Sequence, residues 1–169
     1  TATGYGHRCC WEPIGLLTAN VTRLSERILK WNIRAYEVVC VQEHRQIHPV
    51  RFGTWSRLGF RLAFSPARAT TGNTGPSDME HITGGVAILV RKDIEIHKPK
   101  GVTMSGPNWA AVMVRTGQGG LITIITSYIR HGWDHHAAET MSQASLFAQT
   151  IQTPIIWVGD WNRPPDQLL

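Results

Sequence analysis

The sequence predicts a mixed α/β domain, and three features predict it. Short apolar runs recur and end on polar side chains: "IGLLTAN" on Asn20, "EVVCVQE" on Glu43, "IIWVGDWN" on Asp160 and Asn162. Stretches with apolar residues at helical spacing lie between some of these runs. Gly-, Ser-, Thr- and Asn-rich segments separate the rest, as turns and loops do.

Taken in order, residues 14–20 read as a first strand. "SERILKWNI" then places Leu24, Ile28 and Trp31 at helical spacing, with Thr22 or Ser25 as its cap. Residues 37–43 read as a second strand. Strand, helix and strand of this length imply a right-handed crossover between parallel strands. "RFGTWSRLGF" reads as a short helix running into the strand "RLAFS", and residues 66–83 as a loop. Residues 84–92, "GGVAILVRK", form a further strand. "NWAAVMVRT" and "LITIITSYI" flank Gly117-Gln118-Gly119-Gly120, which reads as a hairpin. "DHHAAETMSQASLFAQTI" reads as an amphipathic helix, with Ala138, Met141, Ser145 and Ala148 on one side and Leu146 close to it. Residues 155–158 close the series as a buried strand.

The bulk numbers bound the rest. With 169 residues, the chain suits one domain. Apolar content of 42% and charged content of 17% fit a globular protein. No apolar run approaches the roughly twenty residues of a membrane helix. A net charge of +5 favours a polyanionic partner such as nucleic acid. Of three cysteines, Cys40 sits within an apolar strand and reads as a small core residue, while adjacent Cys9 and Cys10 are poorly placed to bridge each other. No zinc-type cysteine spacing occurs, and the odd count suits a reducing compartment, inside the cell, nuclear or cytoplasmic.

The polar residues of interest gather at strand ends: Asn20, Glu43, Tyr128, Asp160 and Asn162. In α/β sheets, sites form beyond the carboxyl ends of strands. Phosphodiester hydrolysis needs a hard cation, a base for the attacking water, and donors for the charge growing on phosphate oxygens. Glu43 suits the cation and Asp160 the base. Asn20, Asn162 and Tyr128 suit cation support and phosphate contact.

These pieces, "TAN", "VVCVQEHR", "GGVAILVRK", "TSYIRHG" and "GDWN", resemble in order and spacing the endonuclease/exonuclease/phosphatase superfamily with its DNase I-like fold. Within it, the texture is similar to endonuclease domains of non-LTR retrotransposons. The resemblance implies a four-layer α/β/β/α sandwich with mixed sheets and a Mg²⁺-dependent phosphodiesterase, with Mn²⁺ as the alternative ion and DNA as the substrate. It implies that Asn20 and Glu43 support the metal, that Tyr128 approaches the scissile phosphate, that Asp160 activates water, and that Asn162 holds phosphate or water. Arg68, Arg130 and His131 become candidates for contact with a nucleic-acid backbone. "SYIRHG" departs from the family, which usually has a proline and a small polar residue where Arg130 and His131 stand.

The family's later Asp and its terminal Ser-Asp-His have no counterpart in this sequence. The expectation is therefore a single incomplete domain over residues 1–169, the N-terminal part of the sandwich. It would supply the first sheet and lack most of the second. A bare sheet face would then invite self-association. Without the missing groups the chain would be a catalytically impaired remnant with weak nucleic-acid binding. Apart from this site, Asp134, His135, His136 and Glu139 have spacing that could bind a transition metal, but a solvated helix capped by Asp134 is the favoured reading.

Overall fold

The computed structural model describes residues 14–22, 25, 33–69, 82–117, 119–130 and 135–162. Two sheets carry the fold. The first has four strands in the order β1 (Leu16–Asn20), β2 (Val38–Gln42), β6 (Val86–Arg91) and β3 (Phe60–Ser65). As expected, β1 and β2 run parallel; β2–β6 and β6–β3 are antiparallel. The crossover segment containing Leu24, Ile28 and Trp31 lies outside the described residues, as do Cys9, Cys10, His131 and Asp134. The second sheet runs β11 (Ile155–Asp160), β10 (Leu121–Tyr128), β9 (Trp109–Arg115) and β7 (Ile96–His97), with β8 (Ser105–Gly106) also on β9. The β9–β10 hairpin is antiparallel as expected, whereas β11 joins β10 in parallel. A small ribbon, β4 (Arg68–Ala69) with β5 (Ile82–Thr83), frames the segment expected as a loop.

The expectation of a largely missing second sheet does not hold. Val38, Cys40, Val86, Ile88 and Val90 from the first sheet pack against Ala110, Val112, Val114, Ile124 and Tyr128 from the second. The two inner faces thus cover each other, so the bare face proposed as a self-association surface is absent from the described residues. The physical reason is legible in the hairpin. Its strands are apolar at nearly every position, and β9 is buried from Trp109 to Val114, which requires cover on both faces.

The outer faces are also covered. Val39, Val41, Ala87 and Leu89 pack on Phe52, Trp55 and Phe60, which the 3₁₀ turn Pro49–Phe52, the helix α1 (Gly53–Arg57) and β3 supply. On the other side, α2 (His135–Thr150) lays Ala144 and Phe147 against Trp109, Ala111 and Ile125. Its buried stripe is Ala137, Thr140, Ala144 and Phe147. The expected stripe of Ala138, Met141, Ser145 and Ala148 is one residue out of register, and Leu146 is exposed. Thr140 explains the shift: its hydroxyl donates to Pro107 O at 2.9 Å, so a polar residue occupies a buried position. The closing strand is likewise not fully buried. β11 pairs only with β10 among the described residues, leaving Ile155 and Ile156 exposed. No helix among the described residues is long and apolar enough to cross a membrane. Cys40 is fully buried, and burial pushes its thiol up to about 12, which keeps it protonated and unreactive.

Candidate active site

The ends of four strands, from both sheets, meet at one edge of the sandwich. Asn20 ends β1 and pairs in register with Gln42, the last residue of β2, and Glu43 follows. Tyr128 ends β10 opposite Asp160 at the end of β11. The two sheets are joined here: Asn20 Nδ2 donates to Asp160 Oδ2. Beneath them, Gln42 Nε2 donates to Thr18 Oγ1 at 3.0 Å and to Thr126 Oγ1 at 2.8 Å, a buried amide linking β1, β2 and β10. Asn162 turns back, its side-chain amide donating to Ile129 O at 2.8 Å and its backbone N–H to Asp160 Oδ1 at 3.1 Å. Gly159, just before Asp160, is required where β11 passes β10, because a Cβ there would collide with Ser127 O.

Charge is concentrated around Tyr128. Burial pushes its hydroxyl up to about 12, and the negative charges of Glu43 and Asp160 add to this, while Arg45 and Arg130 act the other way. The phenol therefore stays protonated, a donor, throughout the neutral range. The same influences place Glu43, Asp160, Arg45 and Arg130 around one hydroxyl. Glu43 is buried, and Arg45 Nη2 meets its Oε1 at 2.8 Å. Arg68 does not join this group. It pairs instead with Glu139 at 3.3 Å, on the first turns of α2.

Backbone strain marks the same edge. Among the described residues, the non-glycine positions with positive φ are Thr22, Glu43, Arg45, Asn108 and Asn162. Such conformations cost on the order of 1–3 kcal/mol each and persist where function and surrounding contacts demand them. Asn108, which the sequence reading missed, ties the strands together. Its Oδ1 accepts from Gly85 N at 2.8 Å and its carbonyl from Tyr128 N at 2.9 Å. Arg45 and His44 donate their backbone N–H groups to Gly84 O and Gly85 O, at 3.0 and 3.4 Å. Glu43 is thereby coupled to Tyr128 through Gly84-Gly85 and Asn108.

His44 is fully buried, stacked on Phe64 with ring centroids 5.0 Å apart. Its Nδ1 accepts from Gln46 N at 2.9 Å, so the proton sits on Nε2, which faces Ser65 O at 3.2 Å. Burial lowers His44 to about 4. A histidine lowered in the folded state contributes stability above its unfolded value, near 6.5, and loses it as pH falls toward 4. Between pH 7 and pH 5 the expected loss is about 2 kcal/mol. Urea midpoints at the two pH values should show it, and His44→Phe should flatten that dependence. An unchanged slope in the variant would assign the acid limb to other groups.

The sequence model of the Endonuclease/Exonuclease/phosphatase family matches residues 17–168. The chain belongs to that family. Its fold agrees: the human Nocturnin catalytic domain, solved with a bound sulfate anion, superposes with a TM-score of 0.60 at 18% identity, over 90% of this chain and 65% of that one. Caenorhabditis elegans TDP2 gives 0.52 at 14%, over 91% and 49%. An endonuclease/exonuclease/phosphatase from Beutenbergia cavernae gives 0.57 at 15%, over 88% and 47%. At these identities the likeness is one of fold. The chain spans less than two thirds of the length of each. No curated protein matches the sequence.

Enzymes of the family work with divalent metal ions. The residues at the strand ends fit a hard one. Glu43 offers a buried carboxylate that, among the described residues, accepts on Oε1 from the Arg45 guanidinium. Asn20 adds an amide oxygen, and neither cysteine nor histidine is offered from this edge among the described residues, the donor set that Mg²⁺ or Mn²⁺ prefers. Asn20 Oδ1 already accepts from Thr22 N at 2.9 Å. That oxygen keeps a second lone pair, while the Nδ2 of the same side chain orients Asp160.

Proposed function

We propose that this chain carries the site of a Mg²⁺-dependent phosphodiester hydrolase acting on DNA. The observation that carries the reading is the Asn20–Asp160 hydrogen bond, which closes residues 140 positions apart into one polar edge beside Glu43 and Tyr128. Family membership supports the hydrolytic chemistry, and the net charge of +5 supports a polyanionic substrate. Glu43, with Asn20 at its flank, would hold the cation. When bound, that ion neutralises phosphate charge and lowers the pKa of bound water. Asp160 takes the proton of the attacking water. The protonated Tyr128 hydroxyl donates to a phosphate oxygen as charge builds there. Asn162, fastened to Ile129 O, positions Asp160 through its backbone N–H. Arg45 and Arg130 supply positive charge next to the reacting phosphate, with His131 following in sequence. Retroelement DNA is the substrate setting that the sequence texture supports.

The test is nicking of supercoiled plasmid by the purified chain with Mg²⁺ and with EDTA, beside Glu43→Gln. Nicking that needs Mg²⁺ and Glu43 is the expected result. Folded protein that binds DNA without Mg²⁺-dependent nicking would leave the second reading, a catalytically impaired family member with residual nucleic-acid affinity.

A further inference from the structure

We propose that His135, His136 and Glu139 form a second metal site, for a borderline transition ion such as Zn²⁺, in which Arg68 is the resident placeholder. The three residues open α2, and one ligand atom from each lies within 4.8 Å of the others. A tetrahedral zinc ion with bonds of about 2.0–2.2 Å holds its ligand atoms roughly 3.4 Å apart, so side-chain rotations on the order of 1 Å close the site. His136 and Glu139 are one turn apart on the same helical face, and the two imidazole rings have centroids 4.2 Å apart.

A second observation, independent of spacing, shows that the cluster is arranged around a cation. Arg68 Nη1 lies 3.1 Å from His136 Nδ1 and 3.3 Å from Glu139 Oε2. A guanidinium only donates, so this hydrogen bond uses the lone pair of His136 Nδ1. Metal ligation uses the same ring atom, aimed at a positive charge in the same way. Glu139 Oε1 accepts from Gln143 Nε2 at 3.2 Å, which fixes the carboxylate's orientation from outside, and the Thr140 hydroxyl fastens this turn to Pro107 O. Both histidines are exposed, so an ion reaches them from solvent. Two imidazoles and one carboxylate, with an open position for water, select Zn²⁺ or Co²⁺ over Mg²⁺. The site is thus chemically distinct from the oxygen donors of Glu43 and Asn20. Occupancy expels the Arg68 guanidinium from the cluster.

The experiment titrates the tag-free chain with Co²⁺ as a spectroscopic substitute, reading its visible absorption, then adds Zn²⁺ or excess Mg²⁺. One Co²⁺ per chain should give a band that Zn²⁺ removes and Mg²⁺ does not. His136→Asn and Glu139→Gln should each weaken binding about tenfold or more, while circular dichroism stays unchanged. Arg68→Ala should tighten it, a gain that misfolding cannot produce. Absence of the band, equal affinity in the ligand variants, or no gain in Arg68→Ala would overturn the proposal. None of these readings depends on nuclease activity, so failure here leaves the hydrolase reading standing, and the reverse.

Discussion

Asp160→Ala is expected to lower Mg²⁺-dependent nicking by about 10²–10⁴-fold, the contribution of a positioned general base. The carboxylate is held from two sides. Asn20 Nδ2 reaches Oδ2, and Asn162 N–H reaches Oδ1 at 3.1 Å. Both partners are donors, so together they fix the orientation of the carboxylate. Removing it deletes the base and leaves the Asn20 amide facing nothing. Asp160→Asn keeps the shape but sets one amide against another, so it should recover little activity. Asn20→Ala should be milder, since Asp160 keeps its charge and its bond to Asn162. The order wild type, Asn20→Ala, Asp160→Asn, Asp160→Ala in single-turnover rates is the measurement. Full activity in Asp160→Ala, with the protein folded, would remove this residue from the chemistry.

The legible part of the site was the part carried by strand ends. Asn20, Glu43, Tyr128, Asp160 and Asn162 each close an apolar run, and the structure brings all five to one edge, because parallel pairing of β1 with β2 and of β10 with β11 aligns their carboxyl ends. Arg45, Asn108 and His44 were not legible as parts of that site. Their roles depend on contacts with residues distant in sequence, such as Asn108 with Gly85, 23 positions away, and His44 with Ser65, 21 away. A left-handed backbone at a non-glycine residue also has no reliable sequence signal. The same limit explains the strands. An apolar run shows that a strand is covered, but not by which layer, so β9 and β10 do not announce a second sheet, and β11, which reads as buried, lies at an edge among the described residues. In α2 the weight given to Met141 and Leu146 over Ala137 and Thr140 shifted the stripe. Ala144 is one of the two buried residues that pack that helix on β9, beside Phe147.

Gly85→Ala should destabilise the protein by about 4 kcal/mol, from two additive sources. Gly85 has φ +82°, which an L side chain adopts only with strain. A Cβ there would also stand 2.4 Å from His44 Cε1 and 2.9 Å from Ala67 N. The histidine ring has no room to yield, being packed between Phe52 and Phe64 with ring centroids 5.2 and 5.0 Å away. Gly101 separates the two sources. Its φ is +75°, yet nothing lies within 4 Å of a Cβ built on it. Gly101→Ala should therefore cost only the backbone part, about 1 kcal/mol. The difference between the two variants in urea unfolding measures the contact. That contact also reaches the chemistry. Displacing His44 shifts the backbone bonds from His44 and Arg45 to Gly85 and Gly84, and with them the left-handed Glu43. Gly85→Ala should lose Mg²⁺-dependent nicking under conditions where it remains folded, whereas Gly101→Ala should keep it. Equal stability losses at the two glycines would mean that the Gly84-Gly85 turn does not clamp His44, and that Glu43 is held by its own loop alone.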